Sequence, residues 1–234
     1  MAGVQGFVGY WASGKSLAMC DAIIRRQRLE PSVMVGNNFG YKLGNSFQLN
    51  TIDEILAFAC TDFGGRSKLI AVDEIGGLLR ARGSSTWPPI GDTVFQQGRK
   101  LRVELMWTTQ HWRLLDVNVR RVTEKVTECK GYFLKRLTPR GVYPIQQRPR
   151  LFRLREFDSP NPESCELPQK SDRARWRLFN QKTADSYDTM HLVEAALAAL
   201  SAQQREARQM EVIREALGVV SMSGGELSDG PSSV

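Results

Sequence analysis

Histidine and cysteine are scarce in this 234-residue chain, with two of the former and four of the latter. Two histidines, His111 and His191, are too few for a histidine-based metal centre. Cys20, Cys60, Cys129 and Cys165 are widely scattered and form no C-x-x-C pair. That excludes a zinc framework and a disulfide scaffold, and reads as reduced thiols in a cytosolic protein. No window approaches about eighteen uninterrupted apolar residues, so nothing in the sequence is expected to span a membrane. The first strand pattern starts almost at Met1, so neither a signal peptide nor an N-terminal domain is expected. No internal repeat is present, and no N-K-x-D segment of the kind a regulatory GTPase needs to read guanine.

What the chain does have is concentrated near its start. Gly9-Tyr10-Trp11-Ala12-Ser13-Gly14-Lys15-Ser16 fits G-x-x-x-x-G-K-[ST] at every fixed position. Val4–Val8 before it is short and apolar enough for a buried strand, and Leu17–Leu29 after it has helix-compatible spacing. Strand, glycine loop and helix is the context in which this motif binds phosphate. Gly9 and Gly14 let the backbone N–H groups turn inward, and the helix N-terminus adds partial positive charge. Gly9, Ser13, Gly14, Lys15, Ser16 and Leu17 are therefore the candidate nucleotide-binding set. Lys15 would reach the β- and γ-phosphates of ATP, and the Ser16 hydroxyl would sit on Mg²⁺.

A second motif turns binding towards hydrolysis. Leu69-Ile70-Ala71-Val72 runs straight into Asp73-Glu74, a strand buried on both faces with two carboxylates at its C-terminal end. Ligands bind at that edge of an open parallel sheet. Asp73 is the candidate for the Mg²⁺ shell, and Glu74 for orienting and deprotonating the attacking water. A further strand, Val103–Trp107, ends in Thr108-Thr109-Gln110. Gln110 at its tip is the sensor candidate, placed to touch the γ-phosphate and the attacking water.

Charge is uneven along the chain, whose net is +7. Residues 96–155 carry 15 basic and 4 acidic side chains, a local excess of +11, against −5 for residues 156–234. A basic field of this density suits a polyanion or, more plainly, a solvated surface. Within it, Tyr132, Phe133, Tyr143 and Phe152 interleave with Arg and Lys, a pattern shared by single-strand nucleic-acid binders and by strands with one charged face.

Other elements follow from local signals. Val33–Val35 is expected as a strand with Gly36-Asn37-Asn38 as a turn, and 39–50 as loop. Thr51 and Glu54 form a capping box for a helix ending near Asp62. A helix is expected over Ile90–Gln97, and Thr138–Gly141 is a turn between a strand over Val122–Leu134 and one strand running from Val142 to Leu154. The proline-bearing stretch 158–172 reads as a linker or strap, and His191–Leu217 as a long helix. Residues 1–157 are thus expected as the core, 158–217 as a linker and helical appendage, and 218–234 as a disordered tail.

Taken in order, Gly9–Ser16, Ile70–Glu74, Gln97-Gly98-Arg99-Lys100, Thr108–Gln110 and Asp116–Arg121 resemble the FtsK/HerA superfamily of DNA-pumping ATPases. Over residues 2–135 the likeness is to genome-packaging ATPases of tailless, membrane-containing viruses and to zonula occludens toxin-like assembly ATPases of filamentous phages. The resemblance implies an α/β fold: a RecA-like P-loop NTPase with a mostly parallel central sheet, a basic β-hairpin region and a C-terminal helical appendage. It also implies a homo-oligomeric ring, often a hexamer, with DNA in the pore held by sequence-independent backbone contacts. ATP would lie between subunits, completed by a neighbour's arginine. Arg99 is the first choice for that finger, with Arg82, Arg120 and Arg121 as alternatives. The toxin-like members usually have an Arg-His pair near Arg99, where this chain has Gly-Arg-Lys, and a membrane span after the ATPase domain, which this chain lacks. The expectation is therefore a motor that packages a viral genome into a preformed capsid, in the host cytoplasm and the virion, with capsid or portal-vertex proteins as further partners. A toxin-like DNA-extrusion ATPase is the runner-up. A P-loop small-molecule kinase, with Arg80 and Arg82 on the donor phosphates, comes from another class. It fits less well, because Glu74 suits water activation. A non-catalytic nucleotide-dependent scaffold would not need Glu74.

Overall fold

The computed structural model describes residues 3–78, 97–133, 135–138, 141–144 and 149–187. The expected helices Ile90–Gln97 and His191–Leu217 and the tail after residue 218 fall outside them, Gln97 excepted.

Ten strands and six α-helices make up the described residues. In chain order they are β1 Val4–Val8, α1 Lys15–Leu29, β2 Met34–Asn37, β3 Ser46–Gln48, α2 Ile52–Cys60, β4 Lys68–Val72, α3 Ile75–Leu78, α4 Gly98–Leu101, β5 Val103–Thr109, α5 Val117–Val122, β6 Lys125–Tyr132, β7 Lys135–Thr138, β8 Gly141–Pro144, β9 Leu151–Asp158, β10 Arg173–Leu178 and α6 Gln181–Ala184. Eight strands form one sheet in the order β10-β9-β6-β1-β5-β4-β2-β3. From β6 to β3 every pairing is parallel, and β9 and β10 add an antiparallel edge. The sheet is mostly parallel, as expected for a RecA-like P-loop fold, and the structure places β5 between β1 and β4.

Strand residues alternate between the two faces because the pleat has a period of two. Val4, Val8, Ile70, Val72, Leu105 and Trp107 point to one side, where α2 contributes Ile55, Leu56 and Ala59. Phe7, Leu69, Ala71 and Met106 point to the other, against Met19, Cys20 and Ile23 of α1. Trp107 is fully buried and stacks on Trp112, with ring centroids 6.2 Å apart. Both layers are needed: a parallel sheet is stable only when helices cover its faces.

Local signals held at several ends and failed at others. α2 carries the expected capping box, with Thr51 Oγ1 accepting from the Glu54 N–H at 3.2 Å while the Glu54 carboxylate accepts from Thr51 N. Gly36 and Asn37, expected in a turn, lie in β2. A Cβ at Gly36 would stand 2.4 Å from Leu49 Cδ1, so this glycine marks close packing, not chain reversal. Ser46–Gln48, expected as loop, is a parallel edge strand on β2. The stretch expected as one strand from Val142 to Leu154 is two. β7 and β8 form a separate two-stranded ribbon, and β9 pairs with β6 over eight residues. Local alternation cannot tell which partner a strand chooses, since pairing is set by long-range burial. The sheet continues past residue 157 through β10, which pairs with β9 from Arg173 to Leu178. No helix among the described residues is long and apolar enough to cross a membrane.

Candidate active site

The parallel strands bring four segments to one edge of the sheet: the loop after β1, Asn38 after β2, Asp73-Glu74 after β4 and Gln110 after β5. The loop closes on itself through the Ser13 N–H donating to the Tyr10 carbonyl at 3.1 Å. Gly14 caps α1 at φ 86°, a left-handed conformation, and a Cβ there would lie 2.5 Å from the Phe152 ring. Only glycine satisfies both demands. Lys15 is buried at 7% exposure, and among the described residues the buried Ser13 Oγ has no hydrogen-bond partner. An orphaned buried hydroxyl is costly unless a ligand or water joins it.

Lys15 Nζ donates to the Tyr10 carbonyl at 3.4 Å and pairs with Glu74 at 3.3 Å. Ser16 Oγ donates to both oxygens of Asp73 at 3.0 and 3.1 Å, across 57 residues of sequence. Magnesium binds oxygens at about 2.0–2.1 Å in an octahedron, so adjacent ligands stand about 2.9 Å apart. The Ser16–Asp73 pair already has that spacing. Among the described residues no group of three or more His, Cys, Asp or Glu side chains is set to hold a metal by itself. One carboxylate and one hydroxyl, completed by substrate phosphates and water, is the donor set magnesium accepts.

Two supporting residues were not singled out from sequence. Asn38 clamps the Asp73 backbone, its Oδ1 accepting from Asp73 N at 2.7 Å and its Nδ2 donating to Asp73 O at 3.1 Å. Thr108 Oγ1 donates to Asp73 Oδ1 at 2.5 Å and accepts from Glu74 N at 2.9 Å. Thr108 thus ties both acidic residues to β5. Glu74 needs this restraint, because its φ of 49° is left-handed and costs a non-glycine residue about 1 kcal/mol. The sequence signal for Asn38 was a polar side chain at a strand's C-terminal end; Thr108 lay in the Thr108–Gln110 segment, where only Gln110 was given a role.

Gln110 lies beside the loop and lines a cleft of about 730 Å³ with Gly9, Tyr10, Ser13, Glu128 and Lys130. Among the described residues its side chain has no hydrogen bond. Arg99 stands elsewhere. It sits on α4, before β5, and pairs with Glu124 at 3.1 Å, before β6. Both positions belong to the opposite edge of the sheet, and the Arg99 side chain is 80% exposed. The fold therefore does not bring Arg99 to its own chain's loop. Arg120 is held by the Ser164 carbonyl at 2.9 Å and lies over the Trp112 ring, while Arg121 pairs with Glu163 at 2.7 Å. Arg82 lies outside the described residues.

The thiols nearest the site are not poised for chemistry. Burial pushes Cys20 well up, and the nearby Asp73 charge adds to it; burial pushes Cys129 up to about 12. Both stay neutral and pack as small apolar groups.

Fold and site geometry together define a RecA-like P-loop NTPase architecture. One solved structure shares the fold, and others match it more loosely. The N-terminal domain of zonular occludens toxin from Neisseria meningitidis superposes with a TM-score of 0.55 at 16% identity, over 80% of this chain and 100% of that domain. The genome-packaging NTPase B204 of Sulfolobus turreted icosahedral virus 2, solved with ATP-gammaS, gives 0.47 at 14% identity, over 68% and 92% of the two chains. The ATPase domain of G40P gives 0.46 at 7% identity, over 77% and 82%. Both families that the sequence resembles are thus among the structural matches, and at these identities the likeness is one of fold. No family model matches the sequence, and no curated protein does either.

Proposed function

We propose that this chain is a magnesium-dependent ATP hydrolase whose work is done on DNA. The observation that carries the hydrolase reading is the meeting of Ser16 with Asp73 at 3.0 Å and Lys15 with Glu74 at 3.3 Å on one sheet edge. The loop N–H groups and Lys15 bind the triphosphate, and Ser16 and Asp73 hold Mg²⁺. When bound, Mg²⁺ offsets charge on the phosphate oxygens. Lys15 moves from Glu74 to the γ-phosphate as nucleotide enters, because a phosphate is the more highly charged partner. That releases the half-exposed Glu74 carboxylate to take a proton from the attacking water. Gln110 and an arginine from a neighbouring subunit complete charge stabilisation in the transition state.

The test is Glu74→Gln, which keeps shape and removes the base. Phosphate release should fall by about 10²-fold or more, while nucleotide binding persists. Hydrolysis at the wild-type rate in Glu74→Gln would remove the catalytic assignment.

DNA as the second substrate is supported by the +11 excess over residues 96–155. Backbone contacts need positive charge but no base reading. The leading form is a viral genome-packaging motor assembled as a ring. The second reading, a toxin-like assembly ATPase that extrudes single-stranded DNA, draws support from the fold likeness that spans the whole zonular occludens toxin domain. Adding duplex or single-stranded DNA to the hydrolysis assay at low salt separates them. Stimulation by duplex supports packaging, stimulation by single strands supports extrusion, and no stimulation by either removes DNA.

A further inference from the structure

A cavity of about 530 Å³ opens beside the phosphate loop, on the side away from Gln110. Its floor at one end is Gly14–Leu17, the cradle itself. The opposite walls come from the antiparallel edge of the sheet and the segment that follows it: Pro149, Phe152, Phe179 and Tyr187, with Lys42 at the rim. The rings are held independently of any ligand. Phe152 is buried at 5% exposure and packs beneath Gly14, which is why a Cβ there would strike it. Phe179 is anchored by its N–H donating to the Arg150 carbonyl at 2.8 Å. Tyr187 packs edge-on against Phe39 with centroids 6.1 Å apart, and the preceding Ser186 carbonyl accepts from Lys42 N at 3.1 Å.

We propose that this cavity is the nucleoside subsite, in which a purine base lies against Phe179 and Tyr187, and that it accepts adenine and guanine alike. The proposal rests on the phosphate-loop reading above. Its volume is in the range of small-ligand pockets, and aromatic walls next to a phosphate cradle suit a flat base tethered to a triphosphate. Beyond the cradle, among the described residues only Lys42 and Tyr187 bring polar side-chain ends to the walls. Base stacking tolerates any ring with a π-face, whereas rejection of one purine requires dedicated edge-reading hydrogen bonds. The segment that follows edge strand β10 thus acquires a role: it carries Phe179, Ala184 of α6 and Tyr187 into the cavity wall.

Calorimetric titration of the full chain with MgATP, MgGTP and magnesium tripolyphosphate tests this. Phe179→Ala should weaken MgATP and MgGTP by about ten-fold or more and leave tripolyphosphate within about two-fold, since stacking is lost and the cradle is intact. Phe179→Trp should restore both nucleotides. Lys15→Ala should weaken all three ligands. If Phe179→Ala leaves MgATP unchanged while Lys15→Ala weakens every ligand, the subsite is wrong and the phosphate loop stands. If Lys15→Ala changes nothing, the phosphate-loop reading itself fails. Parallel loss of tripolyphosphate in both Phe179→Ala and the volume-conserving Phe179→Leu makes the ring structural and overturns the proposal. A preference above about 100-fold for either purine shows edge reading and overturns the unselective pocket.

Discussion

A single hydroxyl illustrates how the site depends on residues with no chemistry of their own. Thr108 is fully buried, and its oxygen both donates to Asp73 and accepts from the Glu74 backbone. It holds the metal-ligand candidate in place and fixes the left-handed turn that swings Glu74 out of the strand line towards Lys15. Thr108→Val keeps the volume and removes both bonds. The Mg²⁺ concentration for half-maximal nucleotide binding should rise by about ten-fold, as for other groups that orient a ligand from behind. A Mg²⁺ titration at fixed ATP measures this, and an unshifted curve would mean Asp73 needs no such support. Threonine is common at strand ends, so the sequence named Asp73 and Glu74 but passed over their brace.

At the level of elements, the antiparallel edge is tied by charge. Glu156 on β9 pairs with Lys125 on β6 and Arg175 on β10, each at 2.8 Å, and its side chain is 7% exposed. Burial by itself would raise the Glu156 pKa; the Lys125 hydrogen bond and the charges of Arg175, Lys125 and Arg173 outweigh it and leave it lowered. A carboxylate with a folded pKa below its unfolded value contributes stability that is present at neutral pH. The contribution is lost as pH falls from the unfolded pKa, about 4.3, through the lower folded one. Glu156→Gln should therefore destabilise at pH 7 and flatten the acid side of the thermal-melting profile, converging on wild type below about pH 4. Equal melting profiles for the two proteins would sink the ladder. This cross-strand set was invisible in the sequence, because Lys125, Glu156 and Arg175 become neighbours only once β6, β9 and β10 pair.

For the molecule as a whole, the tertiary structure redistributes the basic field. Arg99 pairs with Glu124 and Arg155 with Glu128 inside the basic stretch, while Lys125 pairs with Glu156 and Arg121 with Glu163 beyond it, so only the last two pairs offset part of the +11 excess. What remains most exposed among these is Arg99, at the sheet edge opposite its own loop. A residue there can serve a nucleotide only on another subunit. Mixing Arg99→Ala with wild type should depress hydrolysis more steeply than the wild-type fraction falls. A strictly proportional decline would show that Arg99 is no finger in trans. Exposed Tyr10 and Trp11 at the loop tip, at 69% and 81%, lie on the same edge as the site. Trp11 therefore offers an intrinsic fluorophore for following mixing and nucleotide addition.

The sequence by itself determined the phosphate loop, the two acidic residues, the α/β class and the buried central strands. Each of these rests on contiguous residues: a loop must turn over eight positions, and a buried parallel strand must be apolar along its length. Only the tertiary structure decided that Asn38 and Thr108 brace Asp73 and that Gly36 belongs to a strand. Likewise it alone placed Phe152, Phe179 and Tyr187 around one cavity beside the loop. Those facts depend on contacts between segments far apart in the chain. Their energies come from burial and hydrogen bonding that local pattern does not encode.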